Sequence, residues 1–424
     1  MKIKKYKDIK ETIFSTILPN NMKVYLNKKT NFSRKYAIIC AKFGSFDSTR
    51  KIKINGSYKK INDGLAHFLE HRMFTIKDKD ASDLFAKNGA NTNAFTTYDK
   101  TCYYFDCYDN FFDNLKILLQ LVDSFDSSFK QVETEKGIII EELKMYKDDP
   151  YTVLFNSLNN QAYKKHPIKI DIGGSEESVQ TTNFEMLKEV FDKFYDPSNL
   201  TLFICGDVDE NELEKFLNDN LLKVKNPQKI KKLKFYESEV VFSNSAKIKM
   251  DINTNIYGML LKLEPVKSIK LIRKNNFIYN MILDYLFSLS SKYTQYMLED
   301  NIISSAMVYE LVENIDLSYI LLYNEVVDYK RLNDYLNKLF NEKITINMSE
   351  FNRLKNKFYG NIVKKYSNLQ ISTFEFINLI TNNQDYFNDL KILKTITLDD
   401  LNNALQNLSK VEKFDCVVGG EKND

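Results

Sequence analysis

A lysine-dense polar stretch, Val224–Tyr236 (VKNPQKIKKLKFY), divides the chain into two parts that echo one another. The echo constrains the fold more than any other feature, because a repeated pattern calls for one structural plan used twice. Ile256–Leu263 resembles Tyr36–Phe43, both read as buried strands. A long helix over 272–289 stands where the first part sets a histidine-bearing helix. Tyr329–Tyr366 repeats the helix-then-helix pattern of Tyr108–Tyr146, and Ile396–Gly420 repeats the helix and apolar strand of Thr182–Asp207. The pattern predicts a domain over 1–223, a linker over 224–236 and a related domain over 237–424.

Within 1–223, residues 12–18 and 23–27 read as a hairpin around Pro19-Asn20-Asn21. A helix is predicted from an N-cap at Asp63 through Met73. Strands follow at Asn93–Thr97 and Cys102–Tyr108, then helices near 110–124, 129–147 and 183–195. Leu200–Cys205 reads as a strand and Glu210–Leu222 as a closing helix. The predicted class is α+β: two similar domains, each a mostly antiparallel sheet with helices packed on one face.

A length of 424 residues suits two such domains. Lys+Arg at 60 against Asp+Glu at 57 leaves a net charge of +3, without the basic excess of a nucleic-acid-binding protein. No run reaches the roughly 20 apolar residues of a membrane helix, and the basic N-terminus has no apolar segment of signal-peptide length. The five cysteines (Cys40, Cys102, Cys107, Cys205, Cys416) are odd in number and mostly lie in apolar runs, which predicts reduced core residues in a cytoplasmic protein.

Two of the three histidines stand four apart, in His67-Phe68-Leu69-Glu70-His71. On a helix, such positions share a face with Cβ atoms about 6 Å apart, so two imidazoles can converge on one metal ion. Glu70 borders that face, within reach of a water at such an ion. A hydrolytic zinc site needs a third protein ligand and an open position. The segment Lys130–Tyr146 (KQVETEKGIIIEELKMY) offers Glu135 and Glu142, two helical turns apart, with Ile138 and Ile139 read as core-facing between them. A carboxylate aimed at a core is costly unless paired or bound to metal. Glu142 is therefore the candidate ligand, with a buried salt bridge as the alternative. Glu133 and Glu141 fall on the solvent side. His166, before Pro167, is read as a turn residue or a support for the ligands rather than a further ligand, and Gly173-Gly174 as a plain turn, since no Lys-Ser follows it.

Gly64-Leu65-Ala66-His67-Phe68-Leu69-Glu70-His71 resembles the active-site helix of the pitrilysin/insulinase family of zinc peptidases, the inverzincins. That family places its glutamate ligand at a similar interval after the second histidine, here 142 − 71 = 71 residues. It also carries a glutamate seven residues before the ligand, which Glu135 matches. Asn93-Ala94-Phe95-Thr96, followed by Thr101 and Tyr103, resembles the family's substrate-binding edge strand. His166-Pro167, Gly173-Gly174 and Asp196-Pro197-Ser198-Asn199 through Gly206-Asp207 match its punctuation. The likeness is closest to the short two-domain bacterial branch, similar to mitochondrial processing peptidase.

The resemblance implies Zn2+ held by His67, His71 and Glu142, with Glu70 as general base. Glu135 joins Glu70 in the catalytic set by orienting a histidine ligand or the helix itself. It implies two domains closing as a clamshell on an unfolded peptide, held as an added strand by Asn93, Ala94, Phe95 and Thr96. The rival is a non-catalytic scaffold or regulatory subunit; such members usually lose a ligand or the base, and this chain keeps all four. Short members often use an Arg and a Tyr from a further segment to bind substrate. Leu298 and Ser305 stand at those places, with Tyr293, Tyr296 or Arg273 as stand-ins. That implies a partner: a sister subunit lacking the zinc motif, or a second copy in a homodimer.

Overall fold

Runs such as Lys35–Ala41 (KYAIICA) and Leu200–Gly206 (LTLFICG) set apolar side chains at successive positions, so strands built from them are buried on both faces. The computed structural model describes residues 1–49, 51–54, 57–77, 79–225 and 244–420, and both runs lie at the centre of its larger sheet. Across that seven-stranded sheet the order is Lys2–Tyr6, Glu11–Ile17, Lys23–Lys28, Leu200–Gly206, Lys35–Ala41, Thr101–Cys107 and Ala90–Thr96. Every pair is antiparallel except Lys23–Lys28 with Leu200–Gly206. The expected hairpin is there, and Asn21 takes the positive φ of 68° that its turn requires.

A second sheet runs Ser245–Lys249, Glu412–Gly419, Asn255–Lys262, Ser318–Val326 and Val308–Glu313. Its one parallel pair is Ser245–Lys249 with Glu412–Gly419. Numbered by appearance, these five strands lie in the order 1-5-2-4-3, and so do the last five strands of the first sheet. The parallel pair falls at the same place in both. The duplication read from the sequence is thus a duplication of topology.

One face of the first sheet carries Val24, Leu26, Ile39, Phe105 and Leu202 into a core completed by helices of the same half, through residues such as Leu69, Leu118, Ile139 and Leu187. The opposite face is covered by Leu369–Thr381, a helix from the second half of the sequence that packs on Leu200–Gly206 and Lys35–Ala41. Its Phe376 stacks on Phe203 with ring centres 4.0 Å apart and meets Tyr25 edge-on at 5.3 Å. The second sheet is served in the same way by Pro150–Ala162, from the first half, which lies against Asn255–Lys262 and Glu412–Gly419. Gly258 allows that approach, since a Cβ there would stand 2.9 Å from Leu154 Cδ2.

The packing units therefore differ from a cut of the chain into halves. One comprises Met1–Lys144, Ile170–Lys234 and Lys364–Phe387; the other comprises Met145–Lys169, Phe235–Val363 and Asn388–Asp424. Of the linker assigned to 224–236, residues 226–236 lie outside the described residues. All five cysteines are buried and free. Among the described residues no helix is long and apolar enough to cross a membrane.

Phe376 tests the exchanged helix. Replacing it with alanine is expected to destabilise the protein by about 3–5 kcal/mol, as for other buried phenylalanines. Urea denaturation measures this, and a loss below about 1 kcal/mol would show that the helix contributes little to that face.

Candidate metal centre

Leu65–Met73 is a nine-residue helix whose buried side comprises Leu65, Ala66, Phe68, Leu69, Arg72 and Met73. Its start is not the Asp63 cap expected from sequence. Gly64 occupies the cap position with a φ of +78°, and no side chain caps the helix there. The reason lies in the Gly173-Gly174 turn. A Cβ on Gly64 would fall 2.1 Å from the Gly173 carbonyl oxygen, and one on Gly174 would fall 2.7 Å from the Asp63 carbonyl oxygen. A third such atom, on Gly173, would stand 2.8 Å from Leu143 Cδ2 and 3.5 Å from His67 Nδ1. The turn is thus a backbone seat that sets where the histidine helix begins.

From this helix His67 and His71 project together, their ring centres 4.6 Å apart. Glu142 comes from the helix Phe129–Asp148. Its Oε2 lies 3.7 Å from His67 Nε2 and 3.5 Å from His71 Nε2. Among the described residues this is the group whose donor atoms converge, all within 4.8 Å of one another. An ion about 2 Å from each donor in tetrahedral geometry needs donors roughly 3.3 Å apart, so two imidazole nitrogens and a carboxylate oxygen at these separations fit zinc.

Glu142 sits at the edge of its helix's buried stripe, which runs through Val132, Glu135, Lys136, Ile139, Ile140 and Leu143. The reading of Ile138 as core-facing is corrected: it is 54% exposed, while Ile139 is buried. At about 3.6 residues per turn, Ile138 falls on the far side of Glu135 from the stripe's centre. Glu133 and Glu141 are exposed, as expected.

Glu135 turns to His71. Its Oε1 lies 3.0 Å from His71 Nδ1, which leaves Nε2 facing Glu142. Its Oε2 accepts from Arg72 Nη1 at 2.5 Å. Arg72 is held in turn by Ser127 Oγ and Thr75 Oγ1, at 3.1 and 3.0 Å. Arg72 was not singled out from sequence, although its place directly after His71 is the signal that could have found it.

Burial pulls the His67 imidazole down to about 4, helped by the neighbouring His71. Burial acts the same way on His71, but hydrogen bonds to Glu135 and Glu142 overcome it and lift that imidazole to about 9. The Glu70 carboxyl is raised chiefly by burial, against a hydrogen bond from Thr96 and the pull of His71. Glu135 is also buried, but its bonds to His71 and Arg72 keep it below the usual carboxylate range.

Ala90–Thr96 is the outermost strand beside Thr101–Cys107, and among the described residues it has no neighbour on its other side. The four residues expected to hold substrate share this strand but do different things. The Ala94 N–H donates to Asn93 Oδ1 at 2.8 Å. Phe95 packs near Tyr104 and Phe374, while Thr96 Oγ1 donates to Glu70 Oε2 at 2.6 Å. His166 is buried and its Nδ1 accepts the Ile168 N–H, a turn contact, and it is not among the converging donors.

With this geometry in hand, two family profiles match the chain: insulinase (peptidase family M16) over residues 55–176 and the peptidase M16 inactive domain over 181–358. The uncharacterized zinc protease YmfH of Bacillus subtilis is 30% identical over 408 residues, covering 95% of each chain. The mitochondrial-processing peptidase subunit beta of Caenorhabditis elegans is 30% identical over 159 residues, 36% of this chain and 35% of that one. Among solved structures, an M16-like peptidase from Alicyclobacillus acidocaldarius superposes with a TM-score of 0.90 at 25% identity, covering 97% of this chain and 99% of that one.

The glycine seat makes a testable claim. Gly64→Ala combines a backbone strain of about 1–2 kcal/mol with a backbone collision. Gly89→Ala, at a φ of +71° with open space around it, has the strain alone. Gly64→Ala is expected to lose at least about 1 kcal/mol more in thermal unfolding and to bind zinc more weakly. Equal losses would remove the collision from the account.

Proposed function

Because the chain belongs to the insulinase (M16) family of peptidases, we propose that it is a zinc metalloendopeptidase that cleaves unfolded peptides or flexible leader segments. The observation that carries the reading is the convergence of His67 Nε2, His71 Nε2 and Glu142 Oε2 beside Glu70. Zinc held by these three would supply a Lewis acid that lowers the pKa of a water to about 7. Glu70 takes the proton from the attacking water and delivers it to the departing amine nitrogen. Its raised carboxyl pKa suits both tasks, since a base must also become an acid within one turnover. Glu135 fixes the His71 ring, and Arg72 fixes Glu135.

The open side of Ala90–Thr96 receives the substrate as an added strand through backbone hydrogen bonds. Asn93 and Ala94 carry the polar part of that edge, and Phe95 stiffens it against Tyr104 and Phe374. Backbone pairing makes few demands on sequence but requires an extended chain. We place the protein in the cytoplasm, a reading supported by its five free, buried cysteines.

The proposal extends to a partner. One relative is by name a subunit, and this chain has Leu298 and Ser305 where substrate-binding Arg and Tyr are expected. Ser305 bonds Asn324, and Arg273 is held bidentately by Asp389. A sister chain lacking the zinc motif, or a second copy of this one, would supply the missing groups.

Glu70→Gln is expected to retain zinc and lose at least about 1000-fold in kcat, whereas His71→Ala and Glu142→Gln lose zinc as well. Peptide cleavage by Glu70→Gln at the wild-type rate would show that another group is the base. For the partner, the purified chain alone should be weakly active and gain about tenfold or more on adding the sister chain. Full activity from a strictly monomeric preparation, with no such gain, would exclude it.

A further inference from the structure

Thr96 sits on the strand that the proposed substrate pairs with, yet its hydroxyl points to the opposite task. Its Oγ1 is 2.6 Å from Glu70 Oε2 and 3.3 Å from Thr101 Oγ1. Thr101 Oγ1 is 2.9 Å from the Phe43 carbonyl oxygen. Each hydroxyl has one proton to donate. A carbonyl oxygen only accepts, so the Thr101 proton goes to Phe43. An ionised carboxylate also only accepts, so the Thr96 proton goes to Glu70. The Thr96 proton is therefore committed to Glu70, and the 3.3 Å approach of the two hydroxyls carries no proton between them.

Glu70 has two oxygens, and this bond occupies Oε2. Among the described residues Oε1 receives no hydrogen bond, so the carboxylate is held by one oxygen with the other left to act. Alternation along the strand agrees. Thr96 and Ala94 share a face, while Phe95 is turned away towards Tyr104 and Phe374. A residue meant to grip a peptide through its hydroxyl would leave that proton to the substrate.

We propose that Thr96 is a positioning residue for Glu70: its hydroxyl holds Oε2 and sets Oε1 towards the water to be deprotonated. Because Thr96 ends the strand Ala90–Thr96, the strand that takes the peptide also orients the base. A peptide paired in register and a correctly turned Glu70 become parts of one rigid element. This rests on the reading of Glu70 as general base.

The test compares Thr96→Val, which keeps the branched shape without the hydroxyl, with Thr96→Ser, which keeps the hydroxyl. Zinc content and melting temperature are measured beside kcat and KM for an unstructured peptide. Thr96→Val is expected to keep its zinc and lose roughly 10- to 100-fold in kcat, with KM within about twofold of wild type. Thr96→Ser should recover kcat to within about threefold. Thr96→Val with raised KM and unchanged kcat would make the residue a substrate contact and overturn the proposal. So would Thr96→Ser losing as much kcat as Thr96→Val, which also covers a valine variant that folds poorly. An inactive Glu70→Gln beside a fully active Thr96→Val would sink this proposal alone. A fully active Glu70→Gln would instead sink the reading it rests on.

Discussion

Glu135 is gripped by two consecutive residues of another helix, and the convergence of the candidate metal donors depends on that grip. His71 and Arg72 face different directions around the histidine helix, yet both reach one carboxylate on Phe129–Asp148. A buried carboxylate is costly unless it is paired and its lone pairs are used. Here one oxygen takes the imidazole and the other the guanidinium, so Glu135 is stable only when both helices are in register. The same register brings Glu142, two turns further on, to His67 and His71. One structural ion pair thus sets the geometry of the three converging donors, while Gly64, Gly173 and Gly174 fix the other end of the short helix.

Around that centre the fold solves a covering problem twice. Each sheet has central strands that are apolar on both sides, so one layer of helices is not enough. Each half of the sequence lends one helix to the other's sheet: Leu369–Thr381 goes to the first and Pro150–Ala162 to the second. The exchange makes neither packing unit a continuous piece of chain. A truncation near residue 223 would therefore strip a helix from a buried face rather than release a finished domain.

The strands and the donors were legible because they rest on local rules. Apolar runs of strand length, and donor spacings tied to the helical repeat, need no knowledge of distant residues. Asp149-Pro150 was also a readable helix start, with an N-cap and proline in the first turn, yet the helix Pro150–Ala162 was not among the predicted elements. Other features are beyond any local rule. That Gly64 rather than Asp63 starts the histidine helix depends on a turn far along the chain. Ile138 is apolar and still exposed, because only the packing of its helix decides which side is inner. Nothing in the composition of Leu369–Thr381 says which of two similar sheets it will cover. Thr96 was readable as part of an edge strand, but the direction of its hydroxyl follows only from Glu70, Thr101 and Phe43 being together.

The two sheets share a strand order but differ at the place where chemistry would sit. Thr96 closes its edge strand opposite Thr101, and Glu313 closes the corresponding strand opposite Ser318. In the first unit the strand supplies a hydroxyl and the neighbouring helix supplies the acid, Glu70. In the second the acid, Glu313, is on the strand, beside the helix Ile269–Phe287, and neither of its oxygens has a hydrogen-bond partner among the described residues. Burial raises the Glu313 carboxyl to about 7, with Asn275 opposing the rise. The second part of the chain has no histidine, and among the described residues the donors that converge as a metal site are His67, His71 and Glu142, all in the first unit. The acid near the end of the edge strand is thus on the helix in the first unit and on the strand itself in the second. A carboxylate on the strand is fixed to the backbone that would hold a peptide, whereas one on the helix can be turned by it. Among the described residues only the first acid, Glu70, stands beside the converging donors His67, His71 and Glu142.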